Sequence, residues 1–158
     1  MACCLNLHCT NTEIINFLIE NGADVNSSSY VNHNNSFYTN PLQLLVEYSY
    51  TGEHLEIIKL LIRKGVNINL KNSRCETPMM KCMQSDNNKL IRYDIIKLLL
   101  DNKADVYIKN KNGKNIFDIV KNLIGENSDI YSLIFDYTNL KNDHFCEFDI
   151  NFIYQKYL

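Results

Sequence analysis

Leu55-Glu56-Ile57-Ile58-Lys59-Leu60-Leu61-Ile62-Arg63-Lys64-Gly65-Val66-Asn67-Ile68-Asn69 is the clearest of three copies of one pattern in this chain. Glu13-Ile14-Ile15-Asn16-Phe17-Leu18-Ile19-Glu20-Asn21-Gly22-Ala23-Asp24-Val25-Asn26 precedes it, and Asp94-Ile95-Ile96-Lys97-Leu98-Leu99-Leu100-Asp101-Asn102-Lys103-Ala104-Asp105-Val106 follows. Ile14, Ile57 and Ile95 open the three apolar runs at offsets of 43 and 38 residues, the range in which internal repeats build a solenoid. In the middle copy, positions 57, 58, 60, 61 and 62 are all apolar and cover too much of a helix for one buried stripe. Such a helix belongs between neighbouring layers. Each of its Ile or Leu side chains contributes ~1.5–3 kcal/mol only once it is covered, so a single unit would not fold alone. Gly22 and Gly65 stand where the helix must end in a left-handed residue, and Arg63 and Lys64 put positive charge at its carbonyl end. Lys103 takes that position in the third copy, at an expected cost of about 1 kcal/mol.

The chain has 158 residues, 46% hydrophobic and 22% charged, which suits one soluble domain with its own core. Its formal charge is -2 and no run of Lys or Arg concentrates a basic field, so nucleic acid is not an expected partner. The longest unbroken apolar run falls far short of the ~20 residues that span a bilayer, and the N-terminus does not read as a signal peptide. No membrane partner is expected, and the chain reads as a cytoplasmic protein. Cys3, Cys4, Cys9, Cys75, Cys82 and Cys146 then read as reduced thiols. Cys3, Cys4, His8 and Cys9 crowd together, but their spacing matches no zinc ligand set. His8, His33, His54 and His144 form no metal or nucleophile constellation, and no Gly-rich phosphate loop occurs. No cofactor, metal or catalytic residue is therefore expected. The bias toward Asn, Ile, Lys and Tyr, with no Trp, is that of an AT-rich coding sequence.

A second set of segments alternates with the first: Asn40-Pro41-Leu42-Gln43-Leu44-Leu45-Val46, Thr77-Pro78-Met79-Met80-Lys81-Cys82-Met83 and Asn115-Ile116-Phe117-Asp118-Ile119-Val120. Asn or Thr caps each start, and proline at the first helical position loses no needed N–H. Asn72-Ser73-Arg74-Cys75-Glu76 and Asn110-Lys111-Asn112-Gly113-Lys114 supply turns before two of them. Turn, helix, helix is the unit. Thr77-Pro78-Met79, Gly52-Glu53-His54-Leu55-Glu56-Ile57-Ile58 and Gly22-Ala23-Asp24-Val25-Asn26 resemble the opening, middle and ending of the ankyrin repeat consensus.

The resemblance implies an all-α ankyrin solenoid of stacked helix-turn-helix units joined by short turns or β-hairpins. About three full repeats, near residues 36–69, 72–107 and 110–138, follow a partial repeat over 1–26, with 27–35 as a loop insertion. Residues 1–138 would form the repeat domain and 139–158 a C-terminal capping or partner-binding segment. Gln43, Met80 and Asp118 replace the family's histidine, which implies altered ties between neighbouring turns. The segments from Pro41 to Ile57 and from Pro78 to Ile95 exceed the family spacing and place Asp86-Asn87-Asn88-Lys89 on a connecting loop.

The composition and long loops resemble the ankyrin proteins of poxviruses, which implies a non-enzymatic protein-protein interaction module that binds a host protein to modulate host defence or host range. Alternatives are a decayed fragment of a longer ankyrin and F-box-type ubiquitin ligase adaptor, or an ankyrin effector of bacterial or protozoan origin. Ankyrin proteins bind through turn tips and the concave face of their first helices. Here those positions are Ser36, Phe37, Thr39, Ser73, Arg74, Glu76, Lys111, Asn112 and Lys114 at the tips, and Glu47, Tyr48, Gln84 and Ser85 on the first helices. Asp24-Val25-Asn26, with Leu18 upstream, also resembles the site of asparaginyl hydroxylases, making Asn26 a candidate for modification.

Overall fold

A computed structural model describes residues 12–31, 37–48, 52–84 and 89–142. Its elements are α1 (Thr12–Glu20), β1 (Ser29–Val31), β2 (Phe37–Thr39), α2 (Pro41–Tyr48), α3 (Gly52–Arg63), α4 (Pro78–Gln84), α5 (Lys89–Asp101), α6 (Ile116–Ile124) and α7 (Asp129–Asn142). The fold is the all-α repeat stack the sequence implies, with one hairpin. The short helices α2, α4 and α6 pack on one another in sequence and form one layer; α1, α3, α5 and α7 form the second. Each short helix also packs on the longer helix that follows it.

The core runs between these layers. Ile57, Ile58 and Leu61 from α3, and Ile95, Ile96, Leu99 and Leu100 from α5, are almost wholly buried against Leu42, Met79, Met80, Ile116, Ile130 and Ile134. This is the sandwiching that the breadth of the apolar arc requires. α1 differs: Ile15 is buried, but Ile14, Phe17 and Leu18 stay exposed.

Helices α1, α3 and α5 end alike. The amides of Gly22, Gly65 and Lys103 donate to carbonyls three residues back, and those of Ala23, Val66 and Ala104 to carbonyls five residues back. This paired closure requires a left-handed residue, and φ is 90° at Gly22, 83° at Gly65 and 69° at Lys103. The lysine does occupy the position expected of it. In α7 the residue in the same register is Thr138, whose β-branch opposes a left-handed turn. Its hydroxyl donates to the Phe135 carbonyl at 2.7 Å, and the helix continues to Asn142, past residue 138.

Two further stretches depart from the sequence reading. Ser29–Val31, expected within a loop insertion, is a strand paired antiparallel with β2, Tyr30 opposite Tyr38 and Val31 opposite Phe37. The β-forming Tyr30, Val31, Phe37 and Tyr38 outweigh the polar composition around them. Lys89, expected on a loop, opens α5, because Leu90, Ile91 and Tyr93 extend its helix backward by more than a turn.

Candidate functional site

The turn tips are built on asparagine. The Asn72 Oδ1 accepts from the amides of Arg74 and Glu76 at 2.8 and 2.9 Å, and the Asn110 Oδ1 from those of Asn112 and Lys114 at 2.9 and 3.1 Å. Each turn passes through a left-handed residue, Cys75 at φ 58° and Gly113 at φ 71°. The Lys111 amide donates to the Arg74 carbonyl at 3.1 Å, which sets the two tips side by side.

Side-chain ties lock the units together. Gln43, at the family's histidine position, is fully buried; its Nε2 donates to the carbonyls of Leu70 at 3.1 Å and Glu76 at 2.7 Å. The altered tie is therefore a working one between the first and second full units. Met80, at the same position one unit on, packs in the core instead, and Asp118 completes a capping box with Asn115.

A second series of ties joins the loops that follow the longer helices. Asn26 Oδ1 accepts from the Asn67 amide at 2.6 Å, and its Nδ2 donates to the Gly65 carbonyl at 3.3 Å. Asn69 repeats this one unit on, accepting from the Asp105 amide at 2.8 Å and donating to the Lys103 carbonyl at 3.5 Å. The candidate modification residue Asn26 thus has both ends of its amide engaged. The next residue in register is Tyr107, which cannot reproduce the tie; a cavity of about 180 Å³ lies there, lined in part by Tyr137 and Thr138. The recurrence of asparagine at 26 and 69 was the available sequence signal for this series.

Among the expected contact positions, Ser73, Arg74, Gln84, Lys111, Asn112 and Lys114 are exposed. Glu76 is not: it is 6% exposed, and its carboxylate accepts from Asn72 and Gln84, both at 3.0 Å. It holds the turn together rather than facing a partner. Glu47 is half-buried and pairs with Lys81 at 2.9 Å across α2 and α4; the pair joins the two helices, and losing either partner would leave the other charge uncompensated. Phe37 and Thr39 fall in β2 and Tyr48 closes α2. Ser36 and Ser85 lie outside the described residues, as do Cys3, Cys4, His8, Cys9, His33, His144, Cys146 and most of the 139–158 segment.

Burial pushes the Cys82 thiol up to about 12, with Arg92 opposing the shift; Cys82 is therefore a core side chain in its neutral form. Among the described residues no group of three or more His, Cys, Asp and Glu is placed to hold a metal ion, and no helix is long and apolar enough to cross a membrane. The arrangement offers a row of exposed polar tips on a tied, two-layer frame.

Comparison with known proteins agrees with this architecture. The family model described as ankyrin repeats (3 copies) matches residues 1–110. An ankyrin repeat protein of Acanthamoeba polyphaga mimivirus is 32% identical over 108 residues, 68% of this chain and 60% of that protein. A second from the same virus is 32% identical over 103 residues, 62% of this chain and 16% of its own length. Ankyrin repeat and SOCS box protein 6 of Homo sapiens is 27% identical over 115 residues, 72% of this chain and 25% of that protein. The chain thus spans 60% or less of each of these relatives.

Proposed function

Because the chain belongs to the ankyrin repeat family, a family of protein-protein interaction modules, we propose that it acts by stoichiometric, non-catalytic capture of a protein along its exposed tips. The observation that carries this is the side-by-side placement of two exposed polar turns on a frame held by Gln43, Asn26 and Asn69. A surface held in one geometry before contact loses less entropy on binding than a loose one. The finer reading is a viral protein that captures a host factor in the host cytoplasm and so modulates host defence or host range. Its support is the likeness to two mimivirus ankyrin repeat proteins and the Asn, Ile, Lys and Tyr bias. A second reading, the repeat portion of a longer adaptor, is favoured by the human relative, whose name pairs ankyrin repeats with a SOCS box and of which this chain spans 25%.

The test is affinity capture from amoebal and animal cell lysates, followed by titration of the purified captured protein with the chain. Saturation at one captured protein per chain, with the effect on that protein rising in proportion to the chain added, is the expected result. Conversion of the whole pool by a small fraction of its molar amount would overturn the non-catalytic reading.

A further inference from the structure

The charges of this chain are unevenly placed. Lys71, Arg74, Lys109, Lys111 and Lys114 fall within two short stretches, 70–75 and 108–114, that contain no carboxylate. All five are exposed. They account for five of the chain's 16 basic residues, so 11 are left against 18 acidic residues elsewhere.

The fold brings the two stretches together, since the Lys111 amide bonds the Arg74 carbonyl. Glu76, Asp105 and Asp118, the carboxylates next to these stretches in sequence, keep their charge but are held by neutral donors in their own turns and caps, so the five cations outnumber them by two. Glu76 is buried on Asn72 and Gln84, Asp105 accepts from the Tyr107 amide and Asp118 from that of Asn115. Among the described residues no carboxylate pairs with the side chains of Lys71, Lys109, Lys111 or Lys114, whereas Lys59, Lys64, Lys81, Lys89 and Lys121 each have an acidic partner. Four such lysines on a chain that is acidic elsewhere make a local positive field that orients an approaching anion.

We propose that the paired tips at 71–74 and 109–114 form a docking edge for an acidic segment of a protein partner, one rich in Glu or Asp. The inference rests on the protein-binding reading and names the chemistry of the partner. A nucleic acid fits less well: a polyanion longer than the edge would also meet the negative remainder of the chain, and the exposed Tyr107 beside Lys109 is a single ring rather than a series on which successive bases stack. Exposed charge pairs act at short range and are screened beyond a Debye length of ~8 Å at physiological salt, which suits a short acidic segment laid on the edge.

The experiment uses the full chain and fluorescence anisotropy with four probes: a labelled peptide of alternating glutamate and serine, its glutamine counterpart, a labelled oligouridine of equal length, and phosphatidylserine vesicles. The glutamate peptide is expected to bind, the glutamine peptide not, and added salt to weaken the complex. Combined Lys109→Glu and Lys111→Glu should lower the affinity about tenfold or more with an unchanged melting transition, whereas Lys97→Glu, an exposed position on α5, should leave it intact. An equal loss with Lys97→Glu, tighter binding of oligouridine or vesicles, or no binding of the glutamate peptide would overturn the proposal. If a captured protein binds at one per chain and ignores the 109 and 111 reversals, this inference fails while the binding-module reading stands.

Discussion

Lys103 holds a φ of 69° where two earlier units have glycine, so its Cβ meets the steric cost of the left-handed region. Lys103→Gly is expected to raise stability by a few tenths to about 1 kcal/mol, read as an increase in urea midpoint at constant slope. Cys75 carries the same burden at φ 58°, imposed by turn geometry rather than a helix end, and its register with Gly113 was the only trace of it in the sequence. At Cys82 the effect is one of solvation. The buried thiol is held neutral, with a pKa raised from 9.0 to about 12, while the unfolded chain ionises near its ordinary value. Its contribution is complete below pH 9 and is lost as the pH rises toward 12, by an amount on the order of 4 kcal/mol at the upper limit. The stability difference between the native chain and Cys82→Ala should therefore shrink across that interval; a constant difference would show that the thiol is not desolvated.

Between elements, burial separates helices that look alike in sequence. Leu61 of α3 is 2% exposed and lies between neighbouring units, whereas Phe17 of α1 is 63% exposed. Leu61→Ala is expected to cost ~2–5 kcal/mol, and Phe17→Ala to stay within about 0.5 kcal/mol; thermal unfolding of the two variants compares them directly. The periodic apolar pattern located α1, α3, α5 and α7 because it records which face of a helix is covered. It did not reveal the extension of α7 to Asn142, since a helix end depends on one or two backbone angles that apolar periodicity does not encode; the earlier start of α5 was legible only in Leu90, Ile91 and Tyr93.

For the molecule as a whole, cohesion depends on ties between units as well as on the core. Gln43→Leu keeps the volume but removes the donor shared by the Leu70 and Glu76 carbonyls, although the Asn72 amide still donates to Glu76 at 3.0 Å. Losing these two bonds should cost roughly 1–3 kcal/mol at about 0.5–1.5 kcal/mol each, measured by denaturant unfolding. Combined Arg74→Glu and Lys111→Glu, by contrast, alters exposed side chains whose backbone bond persists, and should shift stability by about 0.5 kcal/mol or less per site while weakening capture. A melt that falls with capture would reassign those residues to folding.

The sequence by itself determined the repeat, the two-layer burial and the left-handed lysine at a helix end. These follow from helical periodicity and from steric limits on a single residue, both of which act over a few neighbours. Only the tertiary structure decided that Glu76 is buried, that Lys81 pairs with Glu47, that Gln43 and two asparagines stitch the units, and that two basic turns share one edge. Those ties link residues between 27 and 41 positions apart, and which of them meet is set by the rise and rotation from unit to unit, a geometry that emerges only when the core side chains pack.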